Sequence, residues 1–170
     1  MPFKNCVINK RIAIIFAGLV IACAGVCWML RPCLFLAGED GVIAVQEAYA
    51  GLPIKIRFIH SVQKTPVEEF LAVSQDISSV ELKSTVYHSF GVGLPFMIEE
   101  GNFRHEGDDF ILEDMNRSFK NLSLRTGLGT KLEVTVENDL YSLYENYEPG
   151  YRIDIFIKPR LIGYISVMWQ

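Results

Sequence analysis

A chain of 170 residues, half of them apolar, is long enough to form one domain with a substantial core. Its formal charge of −4 hides an asymmetry: residues 1–31 carry Lys4, Lys10, Arg11 and Arg31 and no acid, so removing that +4 leaves −8 for residues 32–170. An acidic domain cannot neutralise phosphates well, which excludes nucleic acid as a partner class.

Ile12 to Leu30 is nineteen consecutive residues without a charge. At about 1.5 Å per helical residue this run matches the hydrocarbon thickness of a bilayer. Lys4, Lys10 and Arg11 precede it and only Arg31 follows. The positive-inside rule therefore predicts a single-pass anchor in the inner (cytoplasmic) membrane, with the amino terminus inside and the domain on the extracytoplasmic side. The expected division is 1–31 for the cytoplasmic terminus and transmembrane anchor and 32–170 for the exported domain. A cleaved secretory signal is disfavoured because Cys27-Trp28-Met29-Leu30 is bulky where cleavage requires small residues. The sharper alternative is a lipoprotein through Cys23, since Val20-Ile21-Ala22-Cys23 resembles a lipobox; against it, the apolar run continues seven residues further. All three readings export the domain. The four cysteines, Cys6, Cys23, Cys27 and Cys33, leave residues 34–170 without an internal disulfide. Cys23 and Cys27 share a helix face and read as small apolar residues rather than as a metal or redox pair.

After Cys33 the apolar pattern changes to alternation, the signature of half-buried strands. Leu34–Ala37 and Val42–Ala48 flank Gly38-Glu39-Asp40-Gly41 and predict a hairpin. Ile54, Ile56, Phe58 and Val62 fall on one strand face, opposite Lys55, Arg57 and Ser61, with His60 in phase with the apolar set. An inward imidazole needs hydrogen-bond partners, and Glu68 and Glu69 are the nearest carboxylates. Thr65-Pro66 predicts a turn before them. Val67, Leu71 and Val73 place Glu69 inward, whereas Phe70 and Ala72 place Glu68 inward, and the pattern leaves both open. Val80, Leu82, Val86 and Phe90 form the next apolar face, opposite Glu81, Lys83, Thr85 and Tyr87.

Ser89-Phe90-Gly91-Val92-Gly93-Leu94-Pro95 reads as a glycine-punctuated bend, because no phosphate-binding fingerprint or following helix accompanies it. Glu99, Glu100, Glu106, Asp108 and Asp109 crowd around His105, but their spacing matches no calcium loop, so a solvated acidic segment is expected and no metal. Phe110–Met115, Phe119–Arg125, Leu132–Val136, Leu140–Tyr144, Arg152–Lys158 and Leu161–Trp169 complete nine to eleven expected strands. The fold class is therefore all-β: one compact sandwich or barrel of short antiparallel strands behind one amino-terminal transmembrane helix.

Several motifs occur together and in order: His60-Ser61-Val62 with Thr65-Pro66-Val67-Glu68-Glu69, Tyr87 with Ser89-Phe90-Gly91 and Gly93-Leu94-Pro95, Glu100-Gly101-Phe103, Asn116-Arg117 with Phe119, and Leu122-Leu124-Arg125. This succession over residues 34–158 resembles the bacterial and archaeal family called domain of unknown function 1850. The resemblance implies a short protein with one amino-terminal hydrophobic segment, often encoded beside TRAP-type transporters of the TAXI branch. It implies an accessory role in solute uptake, with a TRAP-type permease or its solute-binding protein as partner. It carries no established activity or cofactor.

The residues singled out as binding or polar-network candidates are His60, Ser61, Thr65, Glu68, Glu69, Tyr87, Ser89, Asn116, Arg117 and Arg125, with Pro66, Gly91, Gly93 and Pro95 as turn formers. A hydrolase reading would take Ser61 or Ser89 as nucleophile, His60 as base and Glu68 or Glu69 as orienter. Adjacent His60 and Ser61 point to opposite faces of a regular strand, and no nucleophile elbow surrounds either serine. A non-catalytic module is the expectation, with that hydrolase and a purely structural envelope protein as alternatives. A further alternative joins His60, Glu68, Glu69 and Arg125 in a buried network that only satisfies core hydrogen bonding.

Overall fold

The computed structural model describes residues 10–88 and 101–169. A long helix, α1 (Lys10–Leu30), precedes β1 (Pro32–Gly38), β2 (Gly41–Glu47), β3 (Pro53–Ile59), β4 (Pro66–Val73) and β5 (Val80–Tyr87). After the 89–100 segment come β6 (Asn102–Glu106), β7 (Asp109–Glu113), β8 (Arg117–Phe119), β9 (Asn121–Arg125), β10 (Glu133–Val136) and β11 (Asp139–Ser142). A single helical turn, α2 (Leu143–Asn146), then leads to β12 (Arg152–Pro159) and α3 (Arg160–Met168).

The strands form two antiparallel sheets, which resolves the choice between sandwich and barrel in favour of a sandwich. The smaller has the order β2-β1-β12-β9, and the larger runs β11-β10-β3-β4-β5-β7-β6, with β8 also paired to β5. The expected β1–β2 hairpin forms around Gly38–Gly41. Between the sheets, Leu34, Leu36, Ile153 and Ile155 from the small sheet meet Ile54, Ile56, Leu71, Leu82 and Val134 from the large one. These positions are the inward halves of alternating strands.

Three departures from the sequence reading have identifiable causes. The strand expected over Leu161–Trp169 is the helix α3, and part of Leu140–Tyr144 is the helical turn α2. Nine uncharged residues with a single hydroxyl, Ser166, and one aromatic hydroxyl, Tyr164, give little polar contrast, so the strand reading misses the helical spacing of Leu161, Ile165 and Met168. The single strand expected over Phe119–Arg125 is instead divided between the sheets: β8 pairs with β5 and β9 pairs with β12, so the chain changes sheet at Lys120. Finally, β5 does not keep one phase. Leu71 pairs with Leu82 but Phe70 pairs with Ser84, leaving Lys83 as an extra residue whose carbonyl accepts a bond from the Met115 amide at 3.0 Å. That bulge reverses the alternation. Thr85 and Tyr87, expected outside, are buried, whereas Val86 is not.

Strand β1 is buried on both faces. Its second face, with Cys33, Phe35 and Ala37, packs with Phe156 beneath Val167 of α3. The Phe35 and Phe156 rings stack at 5.3 Å, and Tyr164 meets Phe35 edge-on at 5.5 Å. A helix thus covers one side of the small sheet while the large sheet covers the other. The α1 span Ile12–Leu30 has no part buried against the rest of the chain, as suits a membrane anchor or signal sequence.

Candidate functional site

The turn between β3 and β4 is built by His60. Its backbone amide donates to Thr65 O at 2.8 Å, and its carbonyl accepts from the Lys64 amide at 2.9 Å. Its ring Nδ1 accepts from the amides of Val62 at 3.3 Å and Gln63 at 3.1 Å. The imidazole acts as an acceptor that closes its own turn, as a short polar side chain does in an Asx-turn. Lys64 completes the turn with φ 59, in the left-handed region. Ser61 and Val62 lie exposed in this turn rather than continuing the strand.

No hydrogen bond or ion pair joins His60 to Glu68 or Glu69 among the described residues. Pairing of Ile56 with Glu69 and of Arg57 with Glu68 settles their facing: Glu69 points inward, Glu68 outward. Glu68 meets Lys55 at 3.3 Å and Arg57 at 3.6 Å on the outer surface. Glu69 lies between Val67 and Leu71 on the core side, across from Ile56 and from Thr85. Its carboxylate has no hydrogen-bond or ion-pair partner among the described residues. Burial pushes its pKa up, an effect partly offset by the guanidinium of Arg117.

What Glu69 faces is a cavity of about 350 Å³. Its walls are Ile56, Phe58, Leu71 and Leu82 from the large sheet and Leu122 and Leu124 from β9, with Phe119 and Leu132 also lining it. The opening follows from sheet widths. Four strands at about 4.8 Å spacing cover about 14 Å, whereas the seven-strand path of the large sheet covers about 29 Å, so the inner face of the large sheet outruns its cover at the edge strand β9. Arg117 and Arg125 stand at this edge as further lining residues. Arg117 lies over the Phe119 ring at 5.8 Å, and Arg125 donates to Gly150 O at 2.8 Å. Neither guanidinium pairs with a carboxylate among the described residues. The cavity therefore offers an apolar body, one unpaired inward carboxylate and two cations, the pattern of a pocket that holds an apolar group and orients it by a few polar contacts.

Of the residues singled out from the sequence, the fold gathers Glu69, Arg117 and Arg125 in this cavity. It leaves His60, Ser61 and Thr65 in the neighbouring turn, Pro66 as the first residue of β4 rather than in the turn, Glu68 on the outer face and Asn116 exposed. Tyr87 is fully buried, its ring stacked on Phe110 at 5.7 Å. The proposed network of His60, Glu68, Glu69 and Arg125 is not assembled, because Glu68 and Glu69 point to opposite faces and His60 bonds its own turn. Ser89, Gly91, Gly93 and Pro95, like Phe90, Glu99 and Glu100, lie outside the described residues. The nine other lining residues, Thr130 and the apolar wall, were not among the binding candidates; for β9 the alternation Leu122/Leu124 against Asn121, Ser123 and Arg125 was the available signal.

Arg125 also borders a second, polar basin on the opposite side of the small sheet, with Gly38, Glu39, Arg152 and Asp154. Asp154 is buried there, accepting from Ser123 Oγ and, at 3.1 Å, from Arg152 Nε. Its hydrogen bonds are satisfied within the protein, so this group serves the fold. Among the described residues no cluster of three or more metal-ligating side chains occurs.

Sequence comparison identifies one family, described as Domain of unknown function (DUF1850), over residues 54–143, which is 90 of the 170 residues. Those residues run from β3 through Leu143, and they include Glu69, Arg117 and Arg125. No curated protein and no solved structure matches the chain.

Proposed function

This chain belongs to the family of domain of unknown function 1850, and on that premise we propose that it is a membrane-anchored, extracytoplasmic, non-catalytic accessory module of a TRAP-type solute uptake system. Its partner in this reading is the permease or the solute-binding protein. The observation that carries a binding role is the cavity with Glu69 inside and Arg117 and Arg125 at its edge. A purely structural sandwich has no reason to keep an unpaired carboxylate on an inner strand face, where it costs stability. The non-catalytic part is supported by the separation of the groups a hydrolase would align: Ser61 is exposed in a turn and His60 Nδ1 is engaged by backbone amides. The anchored part is supported by the apolar span Ile12–Leu30. The transport association is what the family resemblance implies.

The test is affinity purification of the tagged full chain from native membranes, paired with solute uptake in a deletion strain. Co-purification of the permease or binding protein, together with reduced uptake on deletion, is the expected result. Uptake unchanged by deletion, with neither protein recovered, would overturn the proposal. Glu69→Leu and Arg117→Gln then separate the two senses of accessory: if the cavity receives a ligand or a partner segment, these variants lose the uptake effect while remaining anchored and folded.

A further inference from the structure

Helix α3 is apolar on two faces, and the protein covers only one. On the covered face Val167 is buried, and a Cβ at Gly163 would overlap the Phe35 ring. On the other, Leu161, Ile162 and Ile165 are 43–47% exposed, Met168 is 81% exposed and Trp169, just beyond the helix, is 84% exposed. The steps 161 to 165 to 168 and 162 to 165 to 169 follow helical spacing, so these side chains form one stripe. Residues 161–169 contain no charge. A nine-residue helix is about 14 Å long, under half of a ~30 Å hydrocarbon core, so α3 cannot cross a membrane.

The position of α3 says what covers the stripe. The Arg160 amide donates to Arg31 O at 2.9 Å, one residue beyond the end of α1, and Pro32 is paired with Pro159. The Arg160 guanidinium lies 4.3 Å over the ring of Trp28, in the last turn of α1. The α3 stripe therefore begins where the apolar span of α1 ends. Arg31, Lys158 and Arg160 cluster at this junction, with Glu47 paired to Arg31 at 2.8 Å, while the remainder of the domain is acidic. Arginine and tryptophan at the end of an apolar helix are the chemistry of the headgroup layer.

We propose that α3 lies in the interfacial layer of the membrane that α1 crosses, its stripe of Leu161, Ile162, Ile165, Met168 and Trp169 facing lipid. The domain is then held to the bilayer by two elements, with the outer face of β1 and β12 turned toward the surface. This rests on the anchored reading of α1, and the two can fail separately.

The experiment uses the full chain in vesicles at low protein-to-lipid ratio, with lipids brominated either near the headgroup end of the acyl chain or near the bilayer centre. The chain has two tryptophans, so Trp28→Phe isolates Trp169 and Trp169→Phe isolates Trp28. The expected result is that Trp169 loses most of its emission to the shallow bromines, less to the deep ones, and little to aqueous acrylamide. Ile165→Asp with Met168→Asp is expected to abolish that quenching while Trp28 remains quenched by lipid. Trp169 open to acrylamide and untouched by bromines would mean that the stripe faces water, and the proposal fails. Trp169 shielded from both quenchers would mean that protein, such as a second copy, covers it, and the proposal also fails. Loss of lipid quenching at Trp28 overturns the anchor itself rather than the placement of α3 alone.

Discussion

Glu69 offers the sharpest energetic test, because its neighbour Glu68 serves as a built-in control. Glu69 faces a cavity lined by apolar side chains, has no partner among the described residues, and burial raises its pKa. The native state therefore holds more protons than the unfolded chain from the ordinary value of 4.5 up to the raised one. Stability contributed by this group falls as pH rises through that window and stays low above it. A fully buried polar group without a partner costs on the order of 1–3 kcal/mol; Glu69 is partly buried and faces an open cavity, so the lower end of that range applies. Glu69→Leu removes that cost and adds apolar surface beside Ile56 and Leu82, so a gain of about 2 kcal/mol is expected at neutral pH, or roughly 4–8 °C in melting temperature for a chain of this size. Glu69→Gln keeps the volume and removes the charge; it is expected to give about half that gain and to remove this group's share of the pH dependence. Glu68→Gln loses only half-exposed ion pairs with Lys55 and Arg57, a cost of less than about 1 kcal/mol. The assay is thermal unfolding of the full chain in detergent from pH 4 to pH 8. Destabilisation by Glu69→Leu, with no change in pH profile, would show that the carboxylate is satisfied in the native state and refute the reasoning.

Other substitutions test the fold around the site. Gly163→Ala drives a methyl into Phe35, which is fixed by its stack on Phe156, so a loss of about 1–3 kcal/mol is expected by chemical denaturation. Asp154→Ala leaves Ser123 and Arg152 without their common acceptor and is expected to cost about 1–3 kcal/mol, measured the same way. His60→Ala removes the acceptor for two turn amides that can turn to water instead, so a loss of at least about 1 kcal/mol is expected, with faster hydrogen exchange at Val62 and Gln63.

Much of this architecture is written in local patterns. The uncharged run Ile12–Leu30, the Gly38–Gly41 hairpin and the alternation Ile54, Ile56, Phe58 each depend on neighbours in sequence, and each stands in the structure as read. The reading fails where a third element intervenes. Lys83 shows this on a strand: one extra residue, fixed by the Met115 amide from a distant segment, turns Thr85 and Tyr87 inward. Leu161–Trp169 shows it in the last helix, because a segment with no charged residue gives a period of 3.6 little contrast to stand out against. Phe35 and Ala37 gave alternation with Leu34 and Leu36 no contrast for the same reason: α3 buries the face that would otherwise be polar.

The candidate site was legible as a set of residues but not as a place. Glu69, Arg117 and Arg125 are 48 and 8 positions apart in sequence, and they share a cavity because the chain changes sheets at Lys120. That change sends β8 to the large sheet, carrying Arg117, and β9 to the small one, carrying Arg125. The choice between Glu68 and Glu69 likewise required the pairing of β4 with β3, since one residue of register exchanges the faces. Only then does the meaning of the two adjacent acids diverge. Glu68 answers Lys55 and Arg57 on the surface, and its neighbour is left inside facing an opening that the narrower sheet cannot close. A pattern rule can list both carboxylates, but the register of β4 on β3 decides which one faces the cavity that the narrower sheet leaves open.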